Sequence, residues 1–287
     1  MKVGIDSYCY HRFFGEVYPG QDAPEKTISL EEFLDKAIAL NIDGLSLESC
    51  FIPQFDDGYL ANIKRILDNA GLDRVYAWGH PDGLEGGTNL EAYDEMIAHI
   101  DYATKIGADV MRVVGSSHLF RFEAHDQRLD KLTEMFRSAV QIAKRKGVRL
   151  AIENHIDFDS DEVLKLIKAV DSEYFGVNFD TGNFLRVLDD PIQGMKKLAP
   201  YVFATHIKDL LPVKEIAVNE WNFFSCVPTG LGIIDNSKLI RLLKDADYKG
   251  FLAVEIDNLH PDYSNKEEKV IAASIKELKK LATLVSK

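Results

Sequence analysis

Four chemically reactive side chains stand at the ends of short apolar segments in the second half of the chain. Glu153 ends the segment RLAIE, Asp180 ends YFGVNFD, His206 follows YVFAT, and Glu255 follows FLAV. Three carboxylates and one imidazole form a ligand set for a hard-to-borderline divalent metal ion. A single acidic residue at a strand end often caps the next helix instead, but four such residues together favour a metal site. The donor set predicts Mn²⁺, with Mg²⁺ and Co²⁺ as alternatives and zinc left open.

The segments that carry these residues belong to a pattern that recurs along the whole chain. An amphipathic helix ends near Gly, Asn or Asp, and a short strand rich in Val, Ile and Leu follows, as in FLDKAIALNIDGLSLE and VQIAKRKGVRLAIEN. The pattern predicts eight strands, at about 2–6, 43–48, 74–79, 109–115, 148–153, 174–180, 202–207 and 251–256. Alternating strands and helices indicate parallel βαβ units.

Eight βα units in one chain of 287 residues predict a single (β/α)8 TIM barrel over residues 1–287, closed by a helix from about Lys266 to Val285. The alternative is a doubly wound open sheet, but no GxGxxG motif follows the first strand. In a barrel, the carboxyl ends of strands 5 to 8 place all four predicted ligands at one mouth. Two connections, 7–28 and 208–234, are long and contain aromatic residues, so we expect them to build the walls of a pocket there.

His155 is a further candidate for catalysis. It follows Glu153 by two positions, so an extended backbone points both side chains to the same side. An imidazole beside a metal-bound substrate is a suitable general base near neutral pH. The alternative is that His155 orients a ligand carboxylate or bonds a loop.

Other polar residues are candidates for substrate contacts. Lys208 follows His206 by two positions and is predicted to bind a substrate oxygen or phosphate, or else to be a solvated partner of Asp209. Arg112, on the fourth strand, is predicted to contact a substrate hydroxyl or to form an internal ion pair with Glu153. The remaining candidates are polar residues near the ends of strands 2, 3 and 4 and in the first long loop: Glu48, His80, His118 and His11.

Composition limits the partners of this protein. The net charge of -12 disfavours nucleic acid, which needs a basic binding face. No stretch is apolar enough to span a bilayer, and the N-terminus lacks signal-peptide features. Three widely spaced cysteines indicate reduced thiols, mostly buried. We therefore expect a cytoplasmic enzyme with a small-molecule substrate, and a homodimer or homotetramer is compatible with the sequence.

The segments IEN, FDTGN, HIKD and VEID, in this order and spacing, resemble the sugar phosphate isomerase/epimerase family of xylose-isomerase-like TIM barrels. The resemblance covers nearly the whole chain. It implies that Glu153, Asp180, His206 and Glu255 bind one divalent metal and that the two glutamates also relay protons. The superfamily includes ketose epimerases, hydroxypyruvate isomerase, inosose and dehydroshikimate dehydratases, C-glycoside-cleaving enzymes and a DNA-repair endonuclease branch.

The ligand set also predicts a reaction. A metal chelated by a substrate carbonyl and hydroxyl stabilises the enediolate formed when a carboxylate removes the α proton. Return of the proton gives a ketose isomerase or epimerase, which is the leading hypothesis. Expulsion of a β substituent gives a lyase or dehydratase of a keto-sugar or 3-keto-glycoside with His155 as base, which is the alternative. An endonuclease and a non-catalytic sugar-binding barrel are ranked far below both.

Overall fold

Eight parallel strands close into a barrel, and the helices surround it. In the computed structural model, residues 1–286 are described, and Lys287, the last residue of the predicted domain, lies outside them. The strands are β1 Lys2–Asp6, β2 Gly44–Glu48, β3 Asp73–Ala77, β4 Val110–Val113, β5 Arg149–Glu153, β6 Phe175–Asp180, β7 Val202–Ile207, β8 Leu210–Pro212, β9 Phe224–Cys226 and β10 Phe251–Val254. Around the barrel the order is β1-β10-β7-β6-β5-β4-β3-β2, while β8 and β9 pair antiparallel in a small separate sheet.

The helices follow the strands as the sequence pattern predicts. They are α1 Leu30–Ala39, α2 Asp57–Asn69, α3 Leu90–Ile106, α4 His125–Lys146, α5 Ser160–Val170, α6 Asn183–Arg186, α7 Pro191–Leu198, α8 Asn236–Asp245 and α9 Glu267–Ser286. Capping residues define their ends: Ser29 and Glu32 form a capping box at α1, and Asp159 and Glu162 form another at α5. These caps satisfy backbone N–H groups that would otherwise have no partner.

Phe251 fills the barrel interior near the amino-terminal ends of the strands. A Cβ atom at Gly4 would lie 2.5 Å from the Phe251 ring, and one at Gly44 would lie 2.3 Å from it, so only glycine allows the ring to fill this space. Small and branched side chains are buried in the same cluster as Phe251, among them Val75, Val110 and Ala151. These side chains fill the barrel interior near the amino-terminal ends of the strands, and the candidate ligands lie at the carboxyl ends.

The two long connections form ordered walls at that polar end. Ser7–Phe14 is a 3₁₀ helix, and the second connection contains the β8–β9 pair and a 3₁₀ turn at Trp221–Phe223. The two connections meet where the rings of Tyr18 and Trp221 lie edge to face, 5.2 Å apart.

The predicted fold class is confirmed, and the strand bounds differ from the prediction by at most two residues. Two expected strand-end positions are wrong: β3 ends at Ala77 and β4 at Val113, so His80 and His118 lie on the loops beyond the strands. The three cysteines are free thiols, and Cys9 and Cys226 are buried as expected. Among residues 1–286, no helix combines the length and the apolar character that crossing a membrane requires.

Candidate metal centre

The four predicted ligands converge at the carboxyl end of the barrel. Glu153 ends β5, Asp180 ends β6, His206 lies in β7, and Glu255 directly follows β10. One ligand atom from each residue lies within 4.8 Å of the others, and all four residues are buried. Nδ1 of His206 is 2.9 Å from Glu255 Oε2, 3.3 Å from Glu153 Oε1 and 3.9 Å from Asp180 Oδ2. The group could hold a metal ion.

The two carboxylate oxygens of Asp180 have different roles, one at the start of a helix and one in the candidate metal site. Its Oδ1 accepts hydrogen bonds from the backbone N–H groups of Gly182 at 2.7 Å and Asn183 at 2.8 Å, at the start of α6. Its Oδ2 caps no helix and lies 2.9 Å from Lys208 Nζ. Asn154 holds the Asp180 backbone through two bonds, of 2.9 Å to the carbonyl and 2.8 Å from the N–H. Helix capping and metal binding are therefore compatible roles for this residue.

The charge of the site favours a bound cation. Six buried carboxylates lie in or beside it: Asp6, Glu48, Glu153, Asp180, Glu255 and Asp257. Only three strongly basic side chains, Arg112, Arg186 and Lys208, lie near them. Burial raises the pKa of Asp180 to about 7 despite the nearby ammonium of Lys208. Burial opposes the charged form of Glu153 too, but His206 and Arg112 lower the pKa of Glu153 to about 2. Asp180 Oδ2 and Glu255 Oε2 are buried, and both lie within 3.0 Å of the Lys208 ammonium, which offsets part of their negative charge.

Asp6 belongs to this site, and the sequence analysis missed it. Its Oδ2 lies 3.3 Å from His206 Nε2, on the ring edge opposite the other carboxylates. Its Oδ1 accepts a hydrogen bond of 2.6 Å from the Tyr8 N–H. Asp6 ends β1, so its strand-end position was the available signal. A carboxylate behind a metal-binding histidine orients the ring and selects its tautomer.

Lys208 and Asp257 form a second layer of charge. Lys208 Nζ lies 2.8 Å from Asp257 Oδ2, 2.9 Å from Asp180 Oδ2 and 3.0 Å from Glu255 Oε2. The alternative of a solvated lysine paired with Asp209 is wrong, because Lys208 is buried and Asp209 instead accepts backbone N–H groups from the loop before α8. Asp257 was missed, although it follows Glu255 by the same two-residue step as Lys208 follows His206.

Arg112 forms the internal ion pair that was one of its two predicted roles. Its Nη2 donates to Glu48, its Nη1 donates to the Trp78 carbonyl at 3.0 Å, and its Nε lies 3.2 Å from Glu153 Oε2. Burial and the Glu48 charge act on the guanidinium in opposite directions, and the carboxylates keep the pKa of Arg112 raised. Arg112 and Glu48 also line the cavity above the ligands, so a substrate contact remains a prediction for both.

His155 lines the same cavity. The side chain is half-buried, and its Nδ1 is buried with no hydrogen-bond partner among the described residues. Burial lowers the pKa of His155, which favours the neutral imidazole. No hydrogen bond joins Nδ1 to a ligand carboxylate in the part of the chain that the structure describes, so the geometry does not supply the orienting role.

The cavity above the ligands has a volume of about 460 Å³, and the aromatic residues Tyr8, Tyr18 and Trp221 stand in its wall. His80 and His118 also line it, and burial lowers the pKa of His118. His11 does not. Its Nδ1 bonds the Glu16 carbonyl at 2.6 Å, and its ring stacks on Tyr8 with centroids 5.0 Å apart. The expected sugar contact of His11 is thus replaced by a role in packing the first loop.

The family model for xylose isomerase-like TIM barrels matches residues 34–281, and the chain belongs to this family. Inosose dehydratase from Bacillus cereus is 26% identical over 233 residues, which cover 74% of this chain and 78% of the relative. Among solved structures, a D-tagatose 3-epimerase-like protein matches with a TM-score of 0.74 and 17% identity, over 100% of this chain and 98% of the other. The IOLI protein with a zinc atom matches with a TM-score of 0.75 and 15% identity, over 99% of each chain. At these identities the structural matches show the fold.

Proposed function

We propose that this protein is a divalent-metal-dependent enzyme that removes the proton α to the carbonyl of a keto-sugar. The observation that carries the proposal is the convergence of Glu153, Asp180, His206 and Glu255, two of which, Glu153 and Glu255, line a cavity large enough for a sugar. Mn²⁺ is the proposed ion, since three oxygen donors and one nitrogen donor suit it. A cytoplasmic location and a homo-oligomer stay predictions from the sequence.

The residues around the cavity have separate roles in the proposed reaction. When bound, a divalent ion supplies Lewis-acid polarisation of the substrate carbonyl. Glu153 and Glu255 present carboxylate oxygens at the cavity floor, where they can hold or accept a proton. Lys208 and Arg112 hold these carboxylates through contacts of 3.0 and 3.2 Å. Tyr18 and Trp221 meet in the cavity wall and offer aromatic surface to a bound sugar.

Elimination is the outcome that the site favours, which gives a lyase or dehydratase. His155 lines the cavity two residues beyond Glu153, and its Nδ1 is buried without a partner. A free imidazole nitrogen can take the α proton or return a proton to the leaving oxygen. The carboxylates, in contrast, already have cationic partners. The similarity to inosose dehydratase supports this choice.

Isomerisation or epimerisation is the second candidate. Glu153 and Glu255 both face the cavity from different strands, β5 and the end of β10. One carboxylate could remove a proton and the other could return it to the opposite face or to the neighbouring carbon. The match to a D-tagatose 3-epimerase-like protein is consistent with this reaction but reflects the fold alone.

NMR of the Mg²⁺-loaded protein in D₂O separates the two candidates. The substrates are inosose, free ketoses and 3-keto-glycosides. Release of water or an aglycone with an unsaturated product supports the lyase, whereas deuterium in an intact rearranged sugar supports the isomerase. Absence of any solvent exchange or product with every compound would refute the proposed function.

The His155→Ala variant tests the assigned base. We expect turnover to fall at least about 100-fold while metal content is unchanged, because general-base groups contribute about 10²–10⁴-fold. His125→Ala is the matched control, since His125 lies on α4 and bonds Glu162 outside the cavity. Undiminished turnover of His155→Ala would remove the argument for elimination by this residue.

A further inference from the structure

The basic side chains in the cavity wall are already paired with carboxylates of the protein. Arg186 is the clearest case: its side chain is 1% exposed and its five N–H donors all have acceptors. Nη1 and Nη2 bind Asp257 at 2.5 and 2.9 Å, Nη1 also reaches Asn183 Oδ1 at 3.1 Å, and Nε and Nη2 reach the Phe224 carbonyl at 3.2 and 3.0 Å. A guanidinium held in this way braces the loops and does not clamp a substrate phosphate.

Lys208 and Arg112 are also paired with carboxylates. The ammonium of Lys208 has three carboxylates within 3.0 Å. Even if a metal ion bound Asp180 and Glu255, Asp257 would remain 2.8 Å from Lys208 Nζ. Arg112 keeps Glu48, which is not among the metal ligands. Neither residue therefore becomes a free cation when the site is loaded.

Two carboxylates in the wall, by contrast, have no basic partner. Glu16 and Asp82 both line the cavity. Glu16 accepts a hydrogen bond of 2.6 Å from the Tyr8 hydroxyl, and Asp82 accepts one of 2.8 Å from the Ser117 hydroxyl. Within residues 1–286, neither carboxylate forms an ion pair with a lysine, arginine or histidine. A hydroxyl neighbour donates a hydrogen bond but brings no positive charge beside either carboxylate.

The balance of charge in the cavity is therefore unfavourable for an anion. Six carboxylates line it, namely Glu16, Glu48, Asp82, Glu153, Glu255 and Asp257. The strongly basic side chains that line it are three, Arg112, Arg186 and Lys208. Even a divalent ion leaves no positive surplus, and a phosphate or carboxylate on the substrate would meet repulsion without a counter-charge. Carboxylates and imidazoles do offer many hydrogen bonds to hydroxyl groups.

We infer that the cavity selects uncharged polyhydroxy ketones, namely free keto-sugars and keto-glycosides, and rejects phosphorylated or carboxylated ones. Glu16 and Asp82 are the residues that enforce the selection. The inference rests on the proposed function for the carbonyl chemistry, but it concerns the charge of the substrate and can fail separately.

Paired ligands that differ by one phosphate test the inference. Dissociation constants of D-fructose and D-fructose 6-phosphate, and of D-tagatose and D-tagatose 6-phosphate, are measured on the Mg²⁺-loaded protein by ligand-detected NMR titration. We expect each phosphate ester to bind at least about 100-fold more weakly than its neutral partner, as two uncompensated charges at short range would require. Equal or tighter binding of the esters would overturn the inference.

A double variant tests whether Glu16 and Asp82 cause the selectivity against phosphate esters. Glu16→Gln with Asp82→Asn keeps the hydrogen-bond acceptors and removes both charges. The binding ratio, which is the dissociation constant of a phosphate ester divided by that of its neutral sugar, should therefore fall roughly tenfold. The control, Asp130→Asn with Glu134→Gln, removes the same charge from the exposed face of α4 and should leave the ratio unchanged. An unchanged ratio in the wall variant would contradict the assignment.

Binding is read without turnover, so the two proposals fail separately. Loss of the proposed function would show as absent deuterium exchange with every ligand, while the binding ratio is still measured. Turnover of a phosphate ester with an equal or higher kcat/KM would refute the charge selection and leave the proton abstraction intact.

Discussion

His206 Nε2 lies 3.3 Å from Asp6 Oδ2, while Nδ1 of the same ring faces Glu153 and Glu255 at 3.3 and 2.9 Å. One imidazole thus connects the first barrel strand to the ligand cluster. The negative charge of Asp6 at this distance favours the proton on Nε2, which leaves Nδ1 to face a metal ion.

We predict that Asp6→Asn weakens metal binding by about 10–100-fold. Asn keeps an oxygen for the Tyr8 N–H but no longer favours the tautomer with a proton on Nε2. Mn²⁺ affinity, measured by calorimetry, is the test. Asp245→Asn, on the exposed end of α8, is the matched control and should bind normally. Full affinity in Asp6→Asn would show that His206 needs no partner.

Metal removal should lower the stability of the protein. A ligand at 100 times its Kd stabilises the folded state by about 2.7 kcal/mol, which corresponds to roughly 5–10 °C in Tm for a chain of this size. We therefore expect EDTA to lower the Tm of the wild type and to have no effect on Glu255→Gln, which lacks one ligand oxygen. Metal analysis should find about one divalent ion per wild-type chain. A Glu255→Gln protein with full occupancy would refute the ligand assignment.

Asp209 should be a strong determinant of stability. Its carboxylate accepts backbone N–H groups from Leu210, Gly230, Gly232 and Ile234 at 2.8–3.1 Å, and so orders the loop before α8. Asp209→Ala leaves several buried donors without partners, which predicts a loss of about 2–4 kcal/mol in the free energy of unfolding, measured with urea. Asp245→Ala should change it by less than about 0.5 kcal/mol. A neutral effect of Asp209→Ala would mean that water replaces the carboxylate.

His99 should make the fold sensitive to acid. Burial lowers the pKa of His99, although Glu95 lies 3.6 Å from its Nε2, and its Nδ1 bonds the Tyr76 hydroxyl at 2.6 Å. A histidine with a lowered pKa in the folded state takes up its proton first in the unfolded state, so stability falls as the pH drops below about 6.5. Between pH 7 and pH 5 the wild type should lose more of its free energy of unfolding than His99→Gln.

The comparison is made by urea unfolding in EDTA, so that metal binding does not contribute. His260→Gln is a suitable control, because His260 lies in a loop near the protein surface. Parallel pH profiles for the wild type and His99→Gln would exclude the role of His99.

The sequence by itself determined the barrel and the four candidate ligands. Strand and helix periodicity is a local property, so the eight strands and their ends could be found to within two residues. Once the strands are parallel and close, their carboxyl ends share one mouth. For this reason Glu153, Asp180, His206 and Glu255 could be grouped without coordinates.

Only the tertiary structure decided the partners of these residues. Barrel closure places Asp6 of β1 against His206 of β7, although the two are 200 positions apart. Side-chain rotamers direct Lys208 to Asp257 and not to its neighbour Asp209. His11 turns away from the substrate cavity into a bond with a loop carbonyl, and Arg186 in the cavity wall bonds the Phe224 carbonyl and Asp257. Such choices depend on the packing of distant segments in three dimensions, and no local pattern of residues encodes them.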